Sequence, residues 1–441
     1  MREMKDSGIE WIGDIPKVWK LKRLKALLVE RKEKNDPVQT HFILSLGANY
    51  GVIPYSQKEG GGNKAKEDVS SYRLAYPGDI VMNSMNIISG SVGLSKYFGC
   101  VSPVYYMFYP RNRNSKTEYY HYLFQTKVFQ HSLLGLGNGI LMKESGNGTF
   151  NTVRMRIPVE KLNALMLPFP PLNEQERIVV FLDSECAAID TILEKTRASI
   201  DEYKKLKQAV ITQAVTKGIR GDRPMKDSGI DYIGNIPNDW GICRLRNIGY
   251  VQNGISKSGE FFGSGYPFIS YSDVYKNIEL PSNITGRIES TKDERMRYSV
   301  QIGDIFFTRT SETIEEVGFS SVCMKTVPDA TFAGFLIRVR PFNQKLDVGF
   351  SKYYFRSSHH RTYIVKEMNL VTRASLGQNL LKSMPVLVPP KGEQQEIANY
   401  LDAKCAEIDN LISKKEQYIT EIENYKKSLI YEYVTGKKEV I

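Results

Sequence analysis

The chain has 441 residues, of which 41% are hydrophobic and 25% charged, and its formal net charge is +11. That length accommodates two or three domains and that balance excludes a disordered or fibrous chain, while no apolar run approaches the roughly 18–20 residues that cross a bilayer. The basic excess points to a polyanionic partner, nucleic acid before membrane.

In chain order, the opening MREMKDSGIEWIGD is charged and lacks the apolar stretch of a signal peptide, so a cytoplasmic protein is expected. MKDSGIEWIGDIPKVW, residues 4–19, returns as MKDSGIDYIGNIPNDW, residues 225–240. A short basic segment follows each copy and ends in Arg23-Leu24 and Arg244-Leu245. Short β-rich runs predict strands at 41–46, 80–83, 105–109, 305–308 and 335–339, and helices are expected over 118–130 and 351–366. GDIVMNSMNIISGSVGLS, residues 78–95, is echoed by GDIFFTRTSETIEEVGFS, residues 303–320. The repeat therefore runs globular half, helix, globular half, helix, with the Gly-rich, charged KGIRGDRP (217–224) joining the two units.

The strongest periodicity lies in residues 174–215 and again in 393–434, at a constant offset of 219, the step from Cys186 to Cys405. Ile178, Leu182, Cys186, Ile189, Leu193, Ile200, Tyr203, Leu206, Val210 and Ala214 recur at threes and fours. Ile397, Leu401, Cys405, Ile408, Ile412, Ile419, Ile422, Tyr425, Leu429 and Tyr433 repeat the pattern. Each stripe predicts an amphipathic helix of roughly 60 Å, and stripes matched in length and phase predict that the two helices pack on each other. Pro170-Pro171 and Pro389-Pro390 stop each helix on its N-terminal side, and acidic first turns suit the helix dipole.

Five dispersed cysteines without CxxC spacing read as reduced thiols, and no disulfide between Cys186 and Cys405 is expected. His41, His121, His131, His359 and His360 lack metal-ligand spacing, so neither metal nor cofactor is expected. His359-His360 reads as solvated or phosphate-facing.

The opening MKDSGIEWIGDIP, the Gly-Asp-Ile strand and the helix starts PPLNEQERIVVFLD and PPKGEQQEIANYLD resemble the DNA-specificity subunit of Type I restriction-modification systems over nearly the whole chain. Lys391-Gly392, in place of Leu172-Asn173, is one departure. The resemblance implies an α+β chain with two pseudo-repeated α/β target-recognition domains, 1–171 and 218–390, joined by a long antiparallel two-helix coiled coil, 172–217 and 391–436. It implies double-stranded DNA as ligand, each domain reading one part of a split, asymmetric site. Two methyltransferase subunits and the restriction/translocase subunits are the implied partners, and the chain itself is implied to be non-catalytic.

The residues agree with that lack of catalysis. Thr435-Gly436-Lys437 lacks the rest of a phosphate loop, and Pro168-Phe169-Pro170-Pro171 lacks the leading amide of a base-holding methyltransferase motif. Gly135–Gly139 reads as a surface turn, and Glu202-Tyr203-Lys204 as a solvated helix face. A self-contained modification enzyme and a non-specific coiled-coil bridging protein are the alternatives; the first needs those motifs, and the second leaves two different recognition faces unexplained.

DNA contacts are expected first in the basic, amide-rich loop that carries Lys58, Asn63, Lys64 and Lys66. The segment after each Gly-Asp-Ile strand differs most between the halves: Asn83, Ser84 and Asn86 against Thr308, Arg309 and Ser311. Matching scaffolds with divergent polar tips are what two readers of different half-sites need. Arg111, Arg113, Lys143, Arg287 and Arg373 are further phosphate or base candidates. Two readers on a helical spacer are expected to engage targets about one DNA turn apart, roughly 34 Å. Lengthening both helices by a whole turn should change the unread gap and leave both half-sites as they were; an unchanged gap in the methylated sequences would refute the spacer's role.

Overall fold

Two helices, Leu172–Lys217 and Lys391–Val434, carry the architecture. The computed structural model describes residues 2–47, 50–58, 64–137, 156–311, 316–342, 345–368 and 374–440, and of Ser311 and Ala374 the backbone alone. The first helix occupies the expected span, and the second stops two residues early, at Val434. Gly218 and Gly436 follow the two helix ends with φ of 77° and 72°, the left-handed conformation that closes a helix. A Cβ on Gly436 would stand 2.4 Å from Pro16 Cδ, so only glycine fits there.

Contacts divide the chain into two units, 1–196 with 417–441, and 197–416. Each unit holds one globular half together with a stretch of both long helices. In the first unit Lys426 Nζ lies 2.6 Å from Asp190 Oδ1, and the Phe181 and Tyr433 rings are 4.4 Å apart. In the second, Lys207 Nζ lies 2.6 Å from Asp409 Oδ2, and Lys415 sits over Tyr203 at 5.7 Å. Within each unit, numbers rise on one helix as they fall on the other, so the pairing is antiparallel.

Most of the expected stripe is buried: Ile178, Leu182, Cys186, Ile189 and Leu193 in the first unit, and Ile397, Leu401, Cys405 and Ile408 in the second. Leu206 and Tyr425 are corrections. Both are exposed, at 49% and 55%, although the periodicity places them on the seam. The equivalent runs Ile200–Tyr203–Leu206 and Ile419–Ile422–Tyr425 advance by two successive threes. Each step of three falls about 60° short of a full turn, so the third residue has rotated about 120° off the seam. Near the end of the first helix Ala214 of the stripe is buried, and Ile211 and Val215 are buried beside it.

The first globular half is built on a four-stranded antiparallel sheet in the order Leu28–Arg31, Tyr105–Pro110, Ile80–Asn83, Val92–Leu94. Alternation sends Ile80 and Met82 into the core shared with Thr117–Gln125, Lys127–Ser132 and the long helices. Val81 and Met107 face the hairpin Leu44–Gly47/Gly51–Pro54. The second half repeats the order as Gly249–Asn253, Leu336–Pro341, Ile305–Thr308, Ser320–Val322. Here Ile305 and Phe307 enter the core with Val348–Tyr354, Ser358–Glu367 and the long helices, whereas Phe306 joins a separate cluster. Both expected helices are split. Thr126 interrupts the first, its hydroxyl accepting from Phe129 N to cap the second piece, and Ser357 precedes the equivalent piece in the other half.

The repeated motifs join each globular half to its helix. Glu174 accepts a hydrogen bond from Trp19 Nε1 at 2.8 Å and pairs with Arg2 at 2.5 Å; Glu393 accepts from Trp240 Nε1 at 3.1 Å and pairs with Arg223. The glutamine that follows closes the other side. Gln175 accepts from Lys116 N and donates to Asn114 O and Pro170 O. Gln394 likewise accepts from Asp347 N and donates to Lys345 O and Pro389 O. Two turns on, Asp183 and Asp402 accept from Tyr122 and Tyr353 at 2.6 and 2.7 Å. Both glutamines are fully buried, so their side chains take the place that water holds at an exposed strand end.

Candidate nucleic-acid interface

The Gly-Asp-Ile strand is pinned at its start by a buried carboxylate. Asp79 receives Arg31 Nε at 2.8 Å and Nη2 at 3.1 Å, and Asp304 receives Arg340 Nε at 2.7 Å and Nη2 at 2.6 Å. The fork-on-fork geometry fixes strand position and, through the hydrogen bonds from Asp79, raises the Arg31 pKa further, keeping it charged. The strand then runs to its opposite end, where the halves diverge.

At that end in the first unit, Asn83 is half-buried and its Oδ1 accepts from Met85 N at 3.0 Å, which turns the chain so that Met85 and Asn86 are exposed. Ser84 is fully buried and donates to Val104 O at 2.6 Å. In the second unit Thr308 is also fully buried, donating to Glu316 O and accepting from Phe319 N, while Arg309 is half-exposed. Ser84 and Thr308 are therefore corrections among the expected contacts: their hydroxyls hold the turn and face the interior. Asn86 and Arg309 are the outward groups.

Later parts of the chain return to the same place. Ile157 N donates to Ser84 O at 3.0 Å, and Leu376 N to Arg309 O at 2.7 Å. Thr310–Ser311 pairs with Ala374–Ser375. The flanks of the segments carrying Lys143 and Arg373 thus meet the two divergent strand ends; Lys143, Arg373 and the Ser311 side chain lie outside the described residues, as does Asn63.

The remaining candidates are elsewhere. Lys58 is half-buried, 5.6 Å from the centre of the Tyr55 ring. Lys64 and Lys66 are exposed, their segment tied down by Ala65 N to Tyr55 OH and Lys66 N to Tyr72 OH, both 3.1 Å. Arg111 and Arg113 stand past the other end of strand Tyr105–Pro110, roughly 20 Å of strand away from Asn83. There Arg111 Nε donates to Lys25 O at 2.7 Å beside the start of the long helix. The Arg287 guanidinium closes its own turn on Ile284 O and Gly286 O. The structure thus keeps Arg111 and Arg113 away from the divergent ends.

It does bring residues that the repeat pattern did not flag. Arg309 N donates to Phe335 O at 2.9 Å, so Phe335, 64% exposed, stands opposite Arg309. Gln378 Nε2 donates to Asn253 Oδ1 at 3.0 Å beside them. The corresponding neighbour of Ser84 is Val104. Extending the antiparallel pairing of the Gly-Asp-Ile strand by one residue would have identified Phe335.

The histidine pair is a further correction. His359 and His360 are 4% and 2% exposed, with rings tilted and edge-on against Tyr354, and neither faces solvent. Their Nδ1 atoms meet Ser357 Oγ, and their Nε2 atoms are buried without a partner among the described residues. Burial pushes His359 down to about 3 and His360 well below the usual 6.5, so both stay neutral in the fold. Unfolded chains take up these protons below about pH 6.5, so their stabilising contribution is complete above that pH and falls as pH drops towards 3. His360→Leu is expected to flatten the decline of unfolding free energy by up to about 1.4 kcal/mol per pH unit below pH 6, read from melting curves across pH. Among the described residues no cluster of His, Cys, Asp and Glu fits a metal, and no helix is long and apolar enough to cross a membrane. All five cysteines are free.

Comparison with known proteins follows the same duplication. The family described as the Type I restriction modification DNA specificity domain matches residues 16–202 and again 237–424. A putative type I restriction enzyme MjaX specificity subunit of Methanocaldococcus jannaschii is 23% identical over 97% of this chain and 96% of its own. The EcoKI specificity subunit of Escherichia coli K12 is 25% identical over 62% of this chain, which spans 57% of that protein. Among solved structures, a chain from a study of complex assembly and conformational transition in the type I R-M system superposes with a TM-score of 0.72 at 14% identity, covering 96% of this chain and 99% of that one. The HsdS subunit of Thermoanaerobacter tengcongensis superposes with a TM-score of 0.53 at 15% identity, covering 96% and 98%. These likenesses establish the fold.

Proposed function

Since the chain belongs to the Type I restriction modification DNA specificity family and carries that family's domain twice, we propose that it recognises a bipartite, asymmetric DNA sequence on behalf of a Type I restriction-modification complex. It is the non-catalytic specificity subunit: it binds double-stranded DNA and directs two adenine-methyltransferase subunits and the restriction/translocase subunits to that site. Its place is the cytoplasm, beside the DNA it reads.

One observation carries the two-part reading. The same sheet, pinned by the same buried Asp–Arg fork, ends in unlike tips, Ser84 opposite Val104 in one unit and Arg309 opposite Phe335 in the other. A half-exposed Arg at a fixed strand end suits guanine O6 and N7, whereas Asn86 suits an adenine edge. Base reading by Arg309 and Asn86 is part of this proposal, with Lys64 and Lys66 on phosphates. A non-specific bridging protein has no use for different tips on one scaffold.

The test is a map of methylated adenines in cells expressing the methyltransferase subunit with and without this chain. Methylation at one two-part motif that appears only with the chain is the expected result. Methylation without it, or spread over unrelated sequences, would refute the reading.

A further inference from the structure

Phe335 is a large apolar side chain exposed on a turn that backbone hydrogen bonds hold in place. Its neighbours Phe332, Ala333 and Leu336 are buried, whereas Phe335 is 64% exposed. Ala333 N donates to Ile269 O at 3.0 Å, Gly334 N to Ile255 O at 2.8 Å, and Leu336 N to Ala333 O at 2.9 Å. At Gly334 a Cβ would stand 2.2 Å from Ser256 Oγ and 3.2 Å from Ile255 O, so the turn packs closely on that neighbouring segment. The ring is thus presented with its backbone already ordered, which lowers the entropic cost of using it in binding.

Its surroundings indicate what it meets. Arg309 lies directly across the turn, and the Asn253–Gln378 amide pair lies on the adjoining strand and helix. That bond uses Gln378 Nε2 and Asn253 Oδ1, so the other ends of the two amides are a donor, Nδ2, and an acceptor, Oε1. A donor and an acceptor side by side match adenine N7 and N6–H₂ in the major groove, and the apolar group that the same groove offers at an A·T pair is the thymine methyl.

We propose that Phe335 is a specificity-determining residue that packs on a thymine C5-methyl group within the half-site read by the second unit. This inference rests on the reading of the divergent strand end as a DNA face. A single methyl contact is worth about fivefold in affinity.

The test uses the chain assembled with its methyltransferase subunits and duplexes bearing the mapped site, in which each thymine of the second unit's half-site is replaced in turn by deoxyuridine. The wild type should lose about fivefold at one position. Phe335→Ala should lose the same on the thymine duplex and nothing more on the deoxyuridine one, and Phe335→Leu should lie between. The inference is overturned if Phe335→Ala binds as the wild type does, if it keeps the full deoxyuridine penalty, if the wild type ignores every replacement, or if the half-site holds no A·T pair. Arg309→Ala separates the two failures: its loss of affinity with Phe335→Ala unchanged would sink only the thymine contact, whereas no loss from either would sink the DNA face itself.

Discussion

Glu393→Ala is expected to destabilise the second unit by about 3 kcal/mol, a drop of roughly 6–12 °C in its melting transition. The carboxylate side chain is 1% exposed and serves two partners, the Trp240 indole N–H and the Arg223 guanidinium. Alanine leaves the indole donor without an acceptor in a site that water does not reach, and leaves Arg223 with Asp239 as its remaining acidic partner. Glu393→Gln keeps an acceptor for the indole and loses the charge, so it should fall between alanine and wild type. Glu174→Ala should act in the same way on the first unit, where Trp19 and Arg2 are the partners. Calorimetry on the full chain in its complex measures both. Unaltered melting in the alanine variants would show that the motif does not hold globular half and helix together.

The second large effect is on binding. Arg309→Ala should weaken binding to the cognate duplex by about 10- to 100-fold and relax sequence preference at one position within a single half-site, because a bidentate base contact discriminates by about 1–3 kcal/mol. The other half-site should be read as before. The alternative role, a phosphate contact, predicts a uniform loss on all sequences and a shallower dependence on salt, so titrations at several salt concentrations on cognate and altered duplexes tell the two apart.

Much of this architecture is written locally in the residues. The long helices follow from apolar spacing and from the Pro-Pro that precedes each, and strands Ile80–Asn83 and Ile305–Thr308 fall where their β-rich runs place them. Where periodicity failed, at Leu206 and Tyr425, the misfit was two steps of three that carry a residue off the seam. The expected strand at 41–46 lies at Leu44–Gly47, since the exposed His41 and Phe42 add no burial to the run. Why Glu174-Gln175 and Glu393-Gln394 recur could not be read from spacing, because their partners Trp19 and Trp240 lie more than 150 residues away.

The candidate interface is legible in outline only. Divergence on a repeated scaffold points to the strand ends, but not to which side chains face outward: Ser84 and Thr308 look like readers by type and are sealed by hydrogen bonds to backbone made after the turn. Phe335, Asn253 and Gln378 join Arg309 through sheet pairing across distant parts of the sequence, and an exposed phenylalanine reads by composition as core. Arg111 and Arg287 add backbone hydrogen bonds that their charge alone does not foretell, to Lys25 O and to Ile284 O and Gly286 O.

The central claim is that one duplicated chain carries two independent readers. Its most direct measurement is the methylated motif produced when residues 218–390 are replaced by the corresponding globular half of a relative with a different target. The account predicts that one half of the motif changes while the other half and the unread gap stay as they were. A motif that changes in both halves, or in neither, would contradict it.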